Sequence, residues 1–86
     1  MLIPLKLLRD RPLQQQLYEQ LRALIVSARL ADGARMPSTR MLADQFSVAR
    51  ITVVLTYERL LAEGYLTTIP AKGTFVSQAP AQAAAL

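Results

Sequence analysis

The sequence contains no cysteine and no histidine. The missing cysteines exclude a disulfide framework, thiol catalysis and cysteine zinc sites, and without histidine no alternative metal shell can be completed. Only two lysines occur, Lys6 and Lys72, and neither stands in an apolar setting that would make its amine a nucleophile. Asp10, Asp32, Asp44, Glu58 and Glu63 form no catalytic constellation in the chain. The residue types present therefore argue against an enzyme, a metal site or a redox role. Long apolar runs are also lacking. The stretch Met1-Leu2-Ile3-Pro4-Leu5-Lys6-Leu7-Leu8 is broken by Arg9-Asp10-Arg11 and carries no small-residue cleavage site. The expectation is a cytoplasmic protein without a membrane span, whose first residues form an extended arm against the body.

What is there fits one small domain. A chain of 86 residues supports one core and one binding surface. Lys and Arg number 10 against 6 Asp and Glu, a net charge of +4 that favours polyanions as partners. Many small soluble domains carry a similar excess as an ordinary solvated surface, so charge alone does not decide between nucleic acid and that plainer reading.

The apolar residues Leu13, Leu17, Leu21, Leu24, Ile25 and Ala28 recur at the spacing of one helix face, and Pro12 precedes them where a helix can begin. Gln14, Gln15, Gln16, Glu19, Gln20 and Arg22 form the polar opposite side. This predicts a first helix over roughly 13–28. Asp32-Gly33 marks a turn, and Pro37 biases Met36 away from helical geometry, so 30–37 reads as a loop with room for one short strand. Ser38 is placed to cap a short second helix ending near Phe46. After Ser47 and Val48 a third helix carries Val53, Tyr57, Leu60 and Leu61 on one face, and Gly64 ends it. Two helices about three residues apart form a helix-turn-helix unit. Tyr65 to Ile69 and Thr74 to Ser77, around Pro70-Ala71-Lys72-Gly73, read as two strands joined by a turn, the wing of such a unit. The expected fold is mainly α with a small β wing: three helices and a two- or three-stranded hairpin. The expected domains are an arm over 1–11, a winged helix-turn-helix over 12–77, and a small-residue tail over 78–86 that is disordered or begins a linker.

Several segments resemble, in order, the DNA-binding domain of the GntR family of bacterial transcription regulators. These are Pro12-Leu13 with Gln16-Leu17, then Pro37-Ser38-Thr39-Arg40, and Val48-Ala49-Arg50-Ile51-Thr52-Val53. They are followed by the run from Tyr57 to Leu66 and by Gly73-Thr74-Phe75-Val76. The pattern covers about Pro12 to Val76 and is most similar to the MocR branch. The resemblance implies sequence-specific binding of double-stranded DNA, with the third helix in the major groove and the wing on the neighbouring minor groove or backbone. It also implies a homodimer in the full-length regulator. No cofactor is expected in this chain; pyridoxal phosphate would belong to a C-terminal aminotransferase-like domain of which no residue is present.

By resemblance, Arg50 in the first turn of the third helix is the candidate base reader, where a guanidinium can meet a guanine edge bidentately. The plainer alternative is a phosphate-bound or solvated arginine. Arg40 is assigned to phosphate or base contact, against a surface ion pair with Asp44 four residues on. Ser38 and Thr52 can offer hydroxyls to phosphate at helix N-termini, or serve as caps only. Thr39 belongs to the same segment. Lys72, Gly73 and Thr74 sit at the wing turn, where Lys72 meets a phosphate or the minor groove or stays solvated.

The sequence departs from the family pattern in four places. Ala49 stands where Ser or Thr usually caps the third helix and touches phosphate. Ile51 replaces a usual Asn or Thr near the bases and could contact a thymine methyl. Ala71 replaces a frequent wing glycine and Ile69 a frequent arginine. Val54 and Leu55 add apolar groups beyond the buried face of the third helix, to be covered by the first helix or the wing, or by another copy or domain. The rival to DNA reading is a winged-helix module for protein–protein interaction with only weak, non-specific DNA binding.

Overall fold

The computed structural model describes residues 3–77. Among them the chain forms α1 (Leu13–Val26), α2 (Thr39–Phe46), α3 (Arg50–Ala62), β1 (Leu66–Ile69) and β2 (Gly73–Val76). The expected tail over 78–86 lies outside the described residues.

The core gathers one stripe from each helix. Leu17, Leu21, Leu24 and Ile25 of α1 pack with Leu42 and Ala43 of α2 and with Val53, Tyr57 and Leu60 of α3. Leu66 and Val76, facing each other across the hairpin, close it from the wing side. α3 packs on α1, α2 and β1, which makes it the element whose position the rest of the fold determines. Apolar burial at roughly 25 cal/mol per Å² drives this assembly.

α1 stops at Val26, two residues short of the sequence expectation. Ala28 takes a left-handed φ of 63° and is exposed, so it leaves the helix instead of joining its buried face. α2 ends similarly, with Ser47 at φ 53° and the Val48 N–H donating to the Ala43 carbonyl at 3.0 Å. α3 ends on Gly64 at φ 83°, where the Tyr65 N–H donates to the Leu60 carbonyl and the Gly64 N–H to Leu61, the paired bonds of a Schellman turn. Only this last stop uses the residue that adopts a left-handed φ without cost.

β1 and β2 pair antiparallel in the register Leu66 with Val76 through Ile69 with Gly73. The loop before α2 adds a short third edge. Arg35 bridges Phe75, Met36 N–H donates to the Thr74 carbonyl at 2.8 Å, and Val76 N–H donates to Ala34 at 2.8 Å. The wing is thereby fastened to the segment that leads into α2.

The segment from Ile3 to Arg9 packs on the body. Ile3 is buried, and two glutamines of α1 hold the following backbone. Gln16 accepts from the Leu8 N–H at 2.7 Å and donates to the Leu8 carbonyl at 2.8 Å; Gln20 does the same for Lys6 at 2.8 and 2.7 Å. These side chains imitate a neighbouring strand. The polar side of α1 is thus partly a docking edge. At the far end Arg9 donates to the carbonyls of Phe46 and Ser47, at the turn between α2 and α3.

Candidate nucleic-acid interface

α2 begins where Ser38, in extended geometry, accepts from the Met41 N–H at 3.1 Å. This is the cap anticipated from Ser38. Its hydroxyl hydrogen is still available to an external acceptor, so capping and anion contact are compatible roles. α3 begins differently: Ala49 occupies the cap position and offers no side-chain acceptor. The first amides of α3 therefore carry no side-chain cap, a setting in which helix N-termini favour anions.

The two starts are joined by side chains. Arg50 Nε donates to Thr39 Oγ1 at 3.4 Å, which draws the first residue of α3 toward the first of α2. Behind them Tyr57 donates from its hydroxyl to the Pro37 carbonyl at 2.7 Å, and burial pushes its phenol well above the usual range. The neutral Tyr57 hydroxyl thus pins α3 to the residue preceding the α2 cap.

The wing reaches the same place. A hollow of about 230 Å³ is lined by Arg35, Met36, Pro37, Ser38, Thr39, Tyr57, Gly73 and Thr74. The fold thus brings Ser38 and Thr39 from α2 together with Gly73 and Thr74 from the wing. Gly73 has φ 124°, and a β carbon there would meet Arg35 Nε at 3.2 Å, so the residue serves both the turn and the close passage of the Arg35 side chain. Arg35 was not among the residues singled out from the sequence. The available signal was a cation in the extended segment just before Pro37-Ser38, and only the bridge to Phe75 reveals that this segment lies beside the wing.

The other candidates stand outside the hollow. Arg40 and Arg50 are exposed, and no ion pair joins Arg40 to Asp44; the ion pair found among the described residues is Arg59 with Glu63 at 3.5 Å. Ile51 is exposed on the first turn of α3. Thr52 is half-buried, and its carbonyl accepts from Thr56 Oγ1 at 2.8 Å. Lys72 is exposed in the hairpin turn beside Ala71, which holds φ 66° in place of a glycine. Val54 is half-buried and Leu55 exposed.

A second cluster lies elsewhere, where α1, α3 and the start of β1 meet. Tyr18 donates to Glu63, Arg59 stacks 3.7 Å from the Tyr18 ring centroid, and Arg22 donates to the Tyr65 hydroxyl at 3.1 Å. Burial and the Glu63 carboxylate both push the Tyr18 phenol up. This cluster ties the helices together.

Comparison with known proteins agrees with this architecture. The chain is 47% identical over 74 residues to the probable rhizopine catabolism regulatory protein MocR of Rhizobium meliloti, covering 86% of this chain and 15% of that protein. It is 49% identical over 67 residues to the HTH-type transcriptional regulator TauR of Rhodobacter capsulatus, covering 78% of this chain and 14% of TauR. The chain thus spans a small fraction of the length of the curated relatives it matches. Among solved structures, a transcriptional regulator from Oenococcus oeni superposes with a TM-score of 0.77 at 32% identity, covering 95% of this chain and 65% of that one. AraR(DBD) in complex with operator ORR3 superposes with a TM-score of 0.70 at 26% identity, covering 90% of this chain and 93% of that one. No helix of the described residues is long and apolar enough to cross a membrane. The model of the bacterial regulatory proteins of the gntR family matches residues 13–76, and the chain belongs to that family.

Proposed function

We propose that this chain is the sequence-reading module of a bacterial transcription regulator and that it binds double-stranded DNA through α3 and the wing. The observation that carries the reading is the likeness of the fold to AraR(DBD), a domain solved on its operator. α3 enters the major groove from its N-terminal end, as helix-turn-helix units do. Arg50 reads a base there, with Thr39 limiting the swing of its guanidinium. Ser38, Arg40, Ala49 and Thr52 lie along the phosphates at the two helix starts, where main-chain amides add to the side chains. Lys72, Gly73 and Thr74, with Arg35 behind them, approach the neighbouring backbone. The module needs no cofactor for this. Two copies read two half-sites as a homodimer of the full regulator, which acts in the cytoplasm where the DNA is.

The test is an anisotropy titration of duplexes selected from a random pool, with the wild type, Arg50→Ala and Lys72→Ala at low and moderate salt. Arg50→Ala should cost about 1–3 kcal/mol on the selected sequence and blur the preference, whereas Lys72→Ala should weaken all sequences alike and lower the salt slope by about 1. Equal losses at both positions on every duplex would refute the division of labour. Weak, salt-labile binding that ignores Arg50 would instead favour a protein-binding winged helix.

A further inference from the structure

The outward side of α3 is defined by the helix repeat. Ile51, Leu55, Glu58 and Ala62 recur at the spacing of one face and all four are exposed. Ile51 is 59% exposed and Leu55 41%, although the opposite face already closes the core with Val53, Tyr57 and Leu60. Folding therefore gives no reason for a branched aliphatic pair on the outside. The pair begins beside Arg50, and it ends at Glu58 along the stripe. Two aliphatic side chains bounded by charges are also too narrow for a protein partner, since a stable interface buries about 800 Å² on each side.

The base edges of a major groove offer donors and acceptors, and one methyl group, the 5-methyl of thymine. An aliphatic side chain leaves the donors and acceptors unpaired, which is costly once water is displaced, and it gains only against the methyl. We infer that Ile51 and Leu55 read thymine methyl groups, so that each half-site carries thymine next to the base faced by Arg50. The inference rests on the DNA-reading function proposed above.

The experiment uses the 86-residue chain and a duplex recovered by selection from a random pool. That duplex is resynthesised with deoxyuridine replacing thymidine at one position at a time, which deletes the methyl and leaves base pairing intact. At one or two positions the affinity should fall about fourfold, equivalent to about 0.8 kcal/mol for a buried methyl-sized group. Ile51→Ala should abolish the distinction at one such position and Leu55→Ala at the other, whereas Ile51→Val should retain it. Both side chains are exposed, and unchanged melting of the variants verifies that the fold persists. Selective, Arg50-dependent binding that is indifferent to every thymine-to-uracil exchange would overturn this inference and leave the DNA-reading function standing. A uracil penalty undiminished in Ile51→Ala and Leu55→Ala would overturn it as well. Failure to select any sequence would remove the DNA-reading function and this inference with it.

Discussion

On its inner side α3 presents Val53, Thr56, Tyr57 and Leu60 to the core, and on its outer side it leaves Ile51 and Leu55 in solvent. Both sides use aliphatic carbon, so composition along the helix does not reveal which side faces the body. What separates them is the company each keeps. The inner residues meet the apolar stripes of α1 and α2, and Tyr57 adds a hydrogen bond to Pro37. The outer pair has Arg50 next to it and, among the described residues, is exposed. Stability and the proposed recognition thus fall to residues one or two positions apart, and substitution should separate them.

The largest effect is expected inside. Leu60→Ala removes a fully buried side chain and should lower unfolding free energy by about 2–5 kcal/mol in urea denaturation, enough to unfold much of a domain this small. Leu55→Ala, five residues earlier on the other side, should stay within about 0.5 kcal/mol of wild type in the same assay. A comparable loss at Leu55 would mean that the outer side is structural after all. Next in size, Arg50→Ala should reduce affinity for selected DNA as above while leaving the melting temperature unchanged, because the guanidinium is exposed and its bond to Thr39 is long. Ser38→Ala should cost about 1 kcal/mol of stability by uncapping α2. The smallest change runs the other way: Ala49→Ser supplies the cap that α3 lacks and should add up to about 1 kcal/mol. Thermal melts of the last two variants compare the two helix starts directly. Equal and opposite shifts would mean that capping alone distinguishes them.

The sequence made some of this architecture legible and hid the rest for identifiable reasons. The three helices were readable because Leu17, Leu21, Leu24 and Ile25, and then Val53, Tyr57 and Leu60, keep the period of a helix. The Ser38 cap was readable because a hydroxyl residue before an apolar run has few other uses there. The helix stop at Ala28 is not readable, since alanine carries no sign of a left-handed turn, and the apolar spacing predicts α1 two residues too long in consequence. Ser47 takes the same left-handed geometry equally unannounced, whereas at Ala71 the frequent glycine of the family pattern marks the position. Gln16 and Gln20 were read as a polar surface because their partners are backbone groups of the arm, which sequence patterns do not show. In the candidate interface, Ser38, Thr39, Gly73 and Thr74 were named from their segments, and the structure places them around one hollow. The place of Arg35 is not legible in the sequence because its closeness to Gly73 depends on a pairing between the 33–36 segment and β2.

The grip of Arg9 on the Phe46 and Ser47 carbonyls makes the arm a tension member across the elbow of the helix pair. The turn between α2 and α3 is braced by a segment that the body holds through the buried Ile3 and through Gln16 and Gln20 of α1. The two carbonyls at that turn thus find their partner in a residue well separated in sequence from those of the proposed DNA surface.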